Sequence, residues 1–585
     1  MSLLDTASLI VTPNGYKEGK LYSVIPSDGS GDLSVTRATT ATRINSASLV
    51  ELVPYNVIRY SQEFDNASWS YYQATITPNV ITAPDGTMTG DRLNQATGTG
   101  GNVVYSNETL STGNITLSAY LKLGTGSFGA VSLYDGSWKN GYFNLTTGAV
   151  HYTDPGVTAS IQDAGNGWWR CIITINSVSN SVTTNVGHVL NTGEFGYIWG
   201  AQLVEGSTAK DYQKTETRLN IPRLDYSNGT CPSLLVEPQR TNAVTYSEFF
   251  STANGYNYQN ASQSGSSIVS PSGLLAYGIT STTSANDFHR YYKTLGGRSG
   301  VNTTTIFAKK GTSRYLGLGV NQNGSTGNNN VVVFDLQDGV IASNTYGVTA
   351  SIENFGNDWY RLVHTFDYGT GGTYADICVH NTGTSTYTIN AFQTFDSPSS
   401  PTTIYVWGLQ MEVGSYATSY IPTTSASVTR NADLVTKTSA TALIGQTEGT
   451  LFVDAYITGK DSSNGSILFA TDKVSSGALI RIIYTSTNAL RFDVFDGSSF
   501  QCLISAGAYN VGDRVKVAGG YKNNDFVMYV NGTQIGTDTS GSVPATDTAN
   551  INTSIYGDTN GSFVNAAALW KTRLTNTQLA QLTTI

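Results

Sequence analysis

Charge is what this chain has least of for its size. Only 12% of its 585 residues are Asp, Glu, Lys or Arg, the net charge is −9 and the sequence pI is about 5.1. A nucleic-acid partner would call for a clustered basic face, so this balance argues against one. No apolar run reaches the roughly 20 residues that span a bilayer. The first residues, MSLLDTASLIVTPNGYKEG, have neither a basic stretch nor a clean apolar core. No secretory signal is read there, and synthesis in a cytoplasm without a secretion route of its own is the expectation. Cysteine is equally scarce: Cys171, Cys231, Cys378 and Cys502 are scattered without metal or disulfide spacing, and buried free thiols are expected. The five histidines, His151, His188, His289, His364 and His380, show no H-x-x-x-H or H-E-x-x-H spacing. Neither a G-x-S-x-G elbow nor a G-x-x-x-x-G-K-[ST] loop occurs.

What is abundant points to β-structure. Gly (61 residues) accompanies many Ser, Thr and Asn, while Pro (14) is rare. Gly and Asn tolerate positive φ at little cost, which suits short strands joined by tight turns. Aromatics at 11% are too many for a disordered polar chain.

The chain also repeats itself. WGAQLVEGSTAKDYQKTETR from Trp199 parallels WGLQMEVGSYATSYIPTTSASVTR from Trp407. GVTASIQDAGNGWWR from Gly156 parallels GVTASIENFGNDWYR from Gly347, and FNLTTGAV at Phe143 parallels FDLQDGVI at Phe334, both at an offset of 191 positions. From Trp199 to Trp407 the offset is 208, so the second copy carries extra residues, expected in the loop-like Gly369 to Ser400 region. Repeats this long are tandem domains, since solenoid periods run to roughly 20–50 residues.

Five segments follow. Residues 1–59 are too poor in large apolar residues to hold a core and read as an attachment or oligomerisation segment. Residues 60–217 are the first sandwich, where alternation such as Ile115, Leu117, Ala119, Leu121 puts one strand face in a core. Residues 218–245 form a strap whose Pro222, Pro232 and Pro238 argue against a central strand and for a stiff extended connection. Residues 246–422 are the second sandwich and 423–585 a third β-rich unit. In that third unit YVNGTQIG predicts a hairpin turning at Asn531-Gly532, and Thr575 with Gln578 predicts a capping box opening a helix that packs Leu579 and Leu582. The fold class is all-β: multidomain, tandem β-sandwiches with an N-terminal attachment segment.

Candidate sites are few. Acids in turns such as Asp85-Gly86, Asp135-Gly136 and Asp338-Gly339 read as turn formers bonding to nearby backbone. No carboxylate pair forms a recognisable catalytic motif, no catalytic residue is assigned, and no enzyme is expected. Trp138 and Tyr134 stand in a loop-like stretch, LYDGSWKNGY, with Asn140 close by. Tyr134, Trp138 and Asn140 are the candidate glycan contacts, with Trp138 either a sugar platform or a lid on the sheet. Trp199 and Trp407 lie within alternating strands and read as core, as do Trp168, Trp169 and Trp359. No cofactor or metal site is assigned; Asp558 and Asn560 could offer hard oxygen ligands to Ca²⁺, and a polar hairpin explains them equally well.

Three stretches carry a family resemblance: GYKEGKLYSVIPSDGSGDLSVTRATTATRIN near the N-terminus, PRLDYSNGTCPSLLVEPQRTN in the strap, and WGLQMEVGSYATSYIPTTSASVTRNAD. With these the chain resembles bacteriophage virion fibre proteins, of head or tail, as in phages of Bacteroidetes. That resemblance implies tandem carbohydrate-binding-module-like jelly rolls. VKVAGGYKNNDFVMYVNGTQIG and ALWKTRLTNTQLAQL are similar to laminin-G/concanavalin-like sandwiches. It further implies a location on the virion, capsid or tail proteins as partners through the N-terminal segment, a homo-oligomer (trimer, or dimer), and weak multivalent glycan binding. A glycan-depolymerising spike and a lectin-like surface adhesin are the alternatives. One departure stands out: the first copy has DYQKT from Asp211 where the resemblance leads one to expect SYIPT, so that linker is expected to dock differently.

Overall fold

The computed structural model describes residues 3–96, 100–110, 113–179, 181–283, 289–322, 330–344, 347–382, 400–459, 465–553 and 561–585. The chain falls into two compact units, Leu52–Leu219 and a larger one made of Met1–Glu51 with Asn220–Ile585. Nearly every regular element is a strand.

The smaller unit is a sandwich of twelve strands: β1 (Ser70–Tyr72), β2 (Ala74–Ile81), β3 (Gly90–Gln95), β4 (Gly100–Thr109), β5 (Gly113–Leu123), β6 (Phe128–Tyr134), β7 (Trp138–Asn144), β8 (Ala149–Thr153), β9 (Thr158–Asp163), β10 (Trp168–Ser177), β11 (Ser181–Leu190) and β12 (Phe195–Glu205). They form two antiparallel sheets, in the orders β8-β7-β6-β11-β4-β1 and β9-β10-β5-β12-β3-β2. The predicted alternation holds: Ile115, Leu117, Ala119 and Leu121 are all fully buried between the sheets, with Val131, Leu133, Ile173 and Leu203. Each large aliphatic there contributes about 1.5–3 kcal/mol.

The larger unit repeats this plan. Its strands β13 (Tyr256–Gln259), β14 (Ala261–Val269), β15 (Leu275–Ser281), β16 (Arg290–Gly296), β17 (Val301–Lys310), β18 (Tyr315–Gln322), β19 (Val332–Asp335), β20 (Val340–Ser343), β21 (Thr349–Asn354), β22 (Trp359–Asp367), β23 (Tyr374–Asn381) and β24 (Thr403–Val413) follow in the same sequence. The sheets run β20-β19-β18-β23-β16-β13 and β21-β22-β17-β24-β15-β14, the same orders strand for strand. Most of the second copy's extra stretch, 383–399, lies outside the described residues.

The repeated WG element has a structural cause. At Gly200 (φ +62°) and Gly408 (φ +64°) the last strand bulges against its neighbour, between Ser118 and Tyr120 in one copy and Thr305 and Phe307 in the other. A Cβ at either glycine would sit 3.0 Å from an aromatic ring, of Tyr120 or Phe307, on a backbone that already disfavours L side chains. The preceding Trp199 and Trp407 are buried against Tyr212 and Tyr420, at ring distances of 4.6 and 4.7 Å. Those tyrosines bond to Ser61 (2.7 Å) and Ser247 (2.6 Å). Asn56 and Asn242 play matching parts, each donating from Nδ2 to two carbonyls that fix the start of its sandwich. Trp168 and Trp359 are buried as read, and Trp169 is half-buried.

The third sandwich draws on three parts of the chain. One sheet runs Arg223–Asp225, Ser233–Val236, Ser562–Trp570, Glu448–Ile457, Arg514–Lys522, Asp525–Val530, Thr533–Asp538, with Leu9–Val11 also paired to Ser562–Trp570. Facing it, Tyr16–Lys17, Lys20–Leu21 and Leu33–Thr36 join Leu434–Lys437 at the side of a nine-stranded sheet. The N-terminal segment is thus ordered by docking: Leu9, Val11, Leu21, Leu33 and Val35 are core residues of this sandwich. The strap differs from its reading as a plain stiff connection. It supplies two strands to the sheet, and Pro222 and Pro232 stand immediately before them, where a missing N–H costs no ladder bond. The Asn531-Gly532 hairpin (φ +49° and +82°) and the Thr575/Gln578 capping box on the helix Asn576–Thr583 are as predicted. Leu579 is buried and Leu582 packs beside it.

The three stretches that carry the family resemblance converge here. Arg37 Nη1 contacts Asp433 Oδ1 at 2.6 Å, Arg223 Nη1 contacts Glu237 Oε2 at 2.6 Å, and Arg430 Nη1 reaches the same oxygen at 2.9 Å. Arg223 also grips Asp433, and Ser419 Oγ donates to Glu237 at 2.7 Å. All five charged side chains are buried. Burial works against the charged form of Glu237 and Asp433, yet the neighbouring arginines hold both carboxyls below their usual range.

Of the four cysteines, Cys171, Cys378 and Cys502 are buried free thiols as expected; Cys231 is exposed, because it lies in the turn between the two strap strands. Among the described residues no helix is long and apolar enough to cross a membrane.

Candidate functional site

LYDGSWKNGY is not a loop. Strand β6 runs through Tyr134, β7 opens at Trp138, and the two residues face each other at the last rung of the ladder. The reversal is confined to Asp135-Gly136-Ser137, with Gly136 at φ +113°. Asp135 is buried, and its Oδ2 accepts from the Val178 amide at 3.4 Å.

Being strand rather than loop fixes where the side chains point. Val131, Leu133 and Phe143 face the core, and a Cβ at Gly141 would strike Ile173. Ser132, Tyr134, Trp138, Asn140 and Tyr142 therefore share the opposite, outward face. Strand pairing extends this face into three rows. The first is Trp138, Tyr134, Thr183, Asn107. The middle one is Asn140, Ser132, Asn185, Tyr105, Ser70. The third is Tyr152, Tyr142, Ala130, Gly187, Val103, Tyr72. A polar row thus lies between two rows that carry aromatics.

Trp138 is 49% exposed and is the one exposed tryptophan among eight. Tyr134 is 40% exposed, and the two rings lie 5.1 Å apart at 57°, a shallow V rather than a flat table. Tyr152 and Tyr72 are exposed at opposite margins of the sheet. Asn140, the third candidate, is half-buried and partly committed: its Nδ2 donates to Asp154 Oδ2 at 2.7 Å and its backbone N–H to the same oxygen at 2.9 Å. Partial burial would raise the Asp154 pKa, but these bonds and one from the Tyr152 hydroxyl hold it below the ordinary value. Burial followed by the Asp154 charge raises that of Tyr142. The structure brings all three candidates onto one face and adds Tyr142, Tyr152, Tyr105, Tyr72 and Asn185. Period-two spacing of Trp138, Asn140 and Tyr142 was the signal for the first of these; the others need the pairing of distant strands.

The same sheet in the second copy presents something else. Ser343, Val333, Gly317, His380, Arg290 and Gln259 stand where the first copy has Tyr152, Tyr142, Ala130, Gly187, Val103 and Tyr72. Gly319 and Cys378 replace Ser132 and Asn185. Val333, Cys378 and His380 are buried, and Val331 packs directly over Gly317 and Gly319. Among the described residues this face is closed; the stretch 323–329, where the counterpart of Trp138 falls, lies outside them.

Asp558 and Asn560, weighed as Ca²⁺ ligands, lie outside the described residues. Among the described residues no group of three or more His, Cys, Asp or Glu is placed to hold a metal.

No family model matches this chain. No curated protein matches it either. Among solved structures it is similar to the carbohydrate-binding module CBM40 of the Ruminococcus gnavus IT-sialidase bound to α2,3-sialyllactose, at 13% identity, covering 25% of this chain and 87% of that one, TM-score 0.22. It is also similar to the tandem CBM22-1–CBM22-2 of Paenibacillus barcinonensis Xyn10C (11% identity, 61% and 97% covered, TM-score 0.19). Trypanosoma rangeli sialidase is a third (11% identity, 99% and 93% covered, TM-score 0.22). All three likenesses are remote.

Proposed function

We propose that this chain is a non-enzymatic structural fibre protein of a bacteriophage virion that binds glycans through the outward face of its first sandwich. The observation that carries the binding role is the contrast between the copies. One scaffold, with matching bulges, tryptophans and caps, exposes Trp138, Tyr134, Tyr152 and Tyr72 on this face in one copy and, among the described residues, buries Val333, Cys378 and His380 on it in the other. An exposed tryptophan flanked by tyrosines suits the apolar face of a sugar ring, and Asn and Ser suit its hydroxyls. The virion role rests on the resemblance of the three stretches in the buried charge network, and on no other feature. Within this reading the fibre is a homo-oligomer, trimer or dimer, attached to capsid or tail proteins through its N-terminal part. Many copies then turn weak binding into avidity.

The test of binding is a glycan microarray probed with full-length protein and with Trp138→Ala. Glycan spots that the wild type binds and the variant loses are expected; equal binding by both would contradict the role of this face. For the virion role, an antibody to the third sandwich should label phage particles in electron micrographs, and particles without label would refute it.

A further inference from the structure

Resting on that reading, we infer that the ligand of the first sandwich is an internal stretch of an extended, uncharged glycan chain crossing the sheet, not a terminal or acidic sugar. Two observations carry this. First, not one of the fifteen positions in the three rows is Asp, Glu, Lys, Arg or His. The bordering Asp154 is tied to Asn140 and Tyr152 and sits beside the opposite charge of Lys139. A sugar carboxylate or sulfate would need a cation to replace its water, because an anion set on a desolvated face without a partner is costly. Second, the recognition groups are spread rather than gathered. Exposed Tyr152 on β8 and Tyr72 on β1 end the same row, five strand spacings apart. That is roughly 24 Å at about 4.8 Å per spacing, several times the width of one sugar ring. The middle row is a line of side-chain hydroxyls and amides running across the strands, half-buried at Asn140, Asn185 and Tyr105 and buried at Ser132. The closed face of the second copy serves as an internal control, since there the equivalent positions include Arg290, Asp376 and His380.

Affinity electrophoresis of the full-length protein separates the outcomes. Gels would contain a neutral polymer (mixed-linkage β-glucan, xylan, mannan or dextran) or an acidic one (alginate, hyaluronate or polysialic acid), with oligosaccharides of increasing length as competitors. We expect retardation by at least one neutral polymer and none by the acidic set. Competition should improve about tenfold or more from a monosaccharide to a chain of several units, then level off. Trp138→Ala and Tyr142→Ala should each abolish retardation, while Val340→Ala on the second copy changes nothing; unchanged thermal melts would show that the variants fold. Retardation by acidic polymers, or a monosaccharide competing as well as a long chain, would overturn this inference and leave glycan binding intact. No retardation in any gel, with no glycan bound on the array, would overturn both. Concentration-dependent self-association lost in Trp138→Ala would instead make the face a contact between copies of this chain.

Discussion

The two copies share a strand order and differ in what the same sheet face presents. In the first, Trp138, Tyr134, Tyr152 and Tyr72 are exposed; in the second, Ser343 and Gln259 stand at the Tyr152 and Tyr72 positions, and Val333, Cys378 and His380, which match Tyr142, Asn185 and Gly187, are buried. The lesson is that duplication kept what folds the sandwich and released what covers it. They differ again at the C-terminal strap. Ser419 and Arg430 of the second copy enter the buried charge network, whereas Asp211 and Lys214 in the corresponding strap of the first are exposed.

That second difference predicts the largest effect. Asp433→Ala strands Arg37 and Arg223 without their shared carboxylate and should cost the larger unit about 3–5 kcal/mol. Denaturant unfolding should show its transition moved while that of the Leu52–Leu219 unit stays put; a shift of both would erase the distinction.

Acidification should separate the units next. Burial lowers the pKa of His364 to about 4 and holds that of His380 well below its ordinary value in the larger unit, and lowers that of His188 to about 4 in the smaller. A base held below its unfolded value binds fewer protons when folded, so stability falls as pH drops from about 6.5 toward 4, by roughly 2 kcal/mol at pH 5 for each of His364 and His188, with His380 acting in the same direction. Carboxyls raised by burial act oppositely: Asp91 (to about 6) and Glu108 in the smaller unit, Asp225 in the larger. The larger unit should therefore lose stability from pH 7 to 5 while the smaller holds nearly level, as read from separate melts; the reverse order would contradict this assignment.

Where the copies agree, substitutions should act alike. Gly200→Ala and Gly408→Ala each force a Cβ onto a left-handed backbone against an aromatic ring and should cost about 1–3 kcal/mol in their own units. Unequal costs would show that the bulges are not equivalent. The smallest stability effect belongs to the exposed face. Trp138→Ala should stay within about 0.5 kcal/mol in unfolding yet lose about 2 kcal/mol of glycan affinity, the cost of truncating an aromatic anchor.

Much of the fold was legible because its causes are local. Ile115, Leu117, Ala119 and Leu121 announce a half-buried strand, Asn531-Gly532 a hairpin, Thr575 with Gln578 a helix start, and the two WG elements a duplication. The site was half legible. Trp138 stood out as a tryptophan near turn residues, but taking its surroundings for a loop hid Tyr142, which alternates with it. Tyr152, Tyr105 and Tyr72 reach the face only through strand pairing. Nothing local brings Arg37, Arg223, Glu237, Arg430 and Asp433 together; their meeting depends on how three distant stretches enter the third sandwich. Cys231 looks like the other cysteines in sequence, and only its place in a turn exposes it.

Hydroxyl-radical footprinting of the full-length protein, with and without the glycan that binds best on the array, tests the central claim most directly. The account predicts protection of Tyr134, Trp138 and Tyr142 on β6 and β7, with Tyr315 and Val340 of the second copy unchanged. Protection confined to the second copy or to the third sandwich would contradict it.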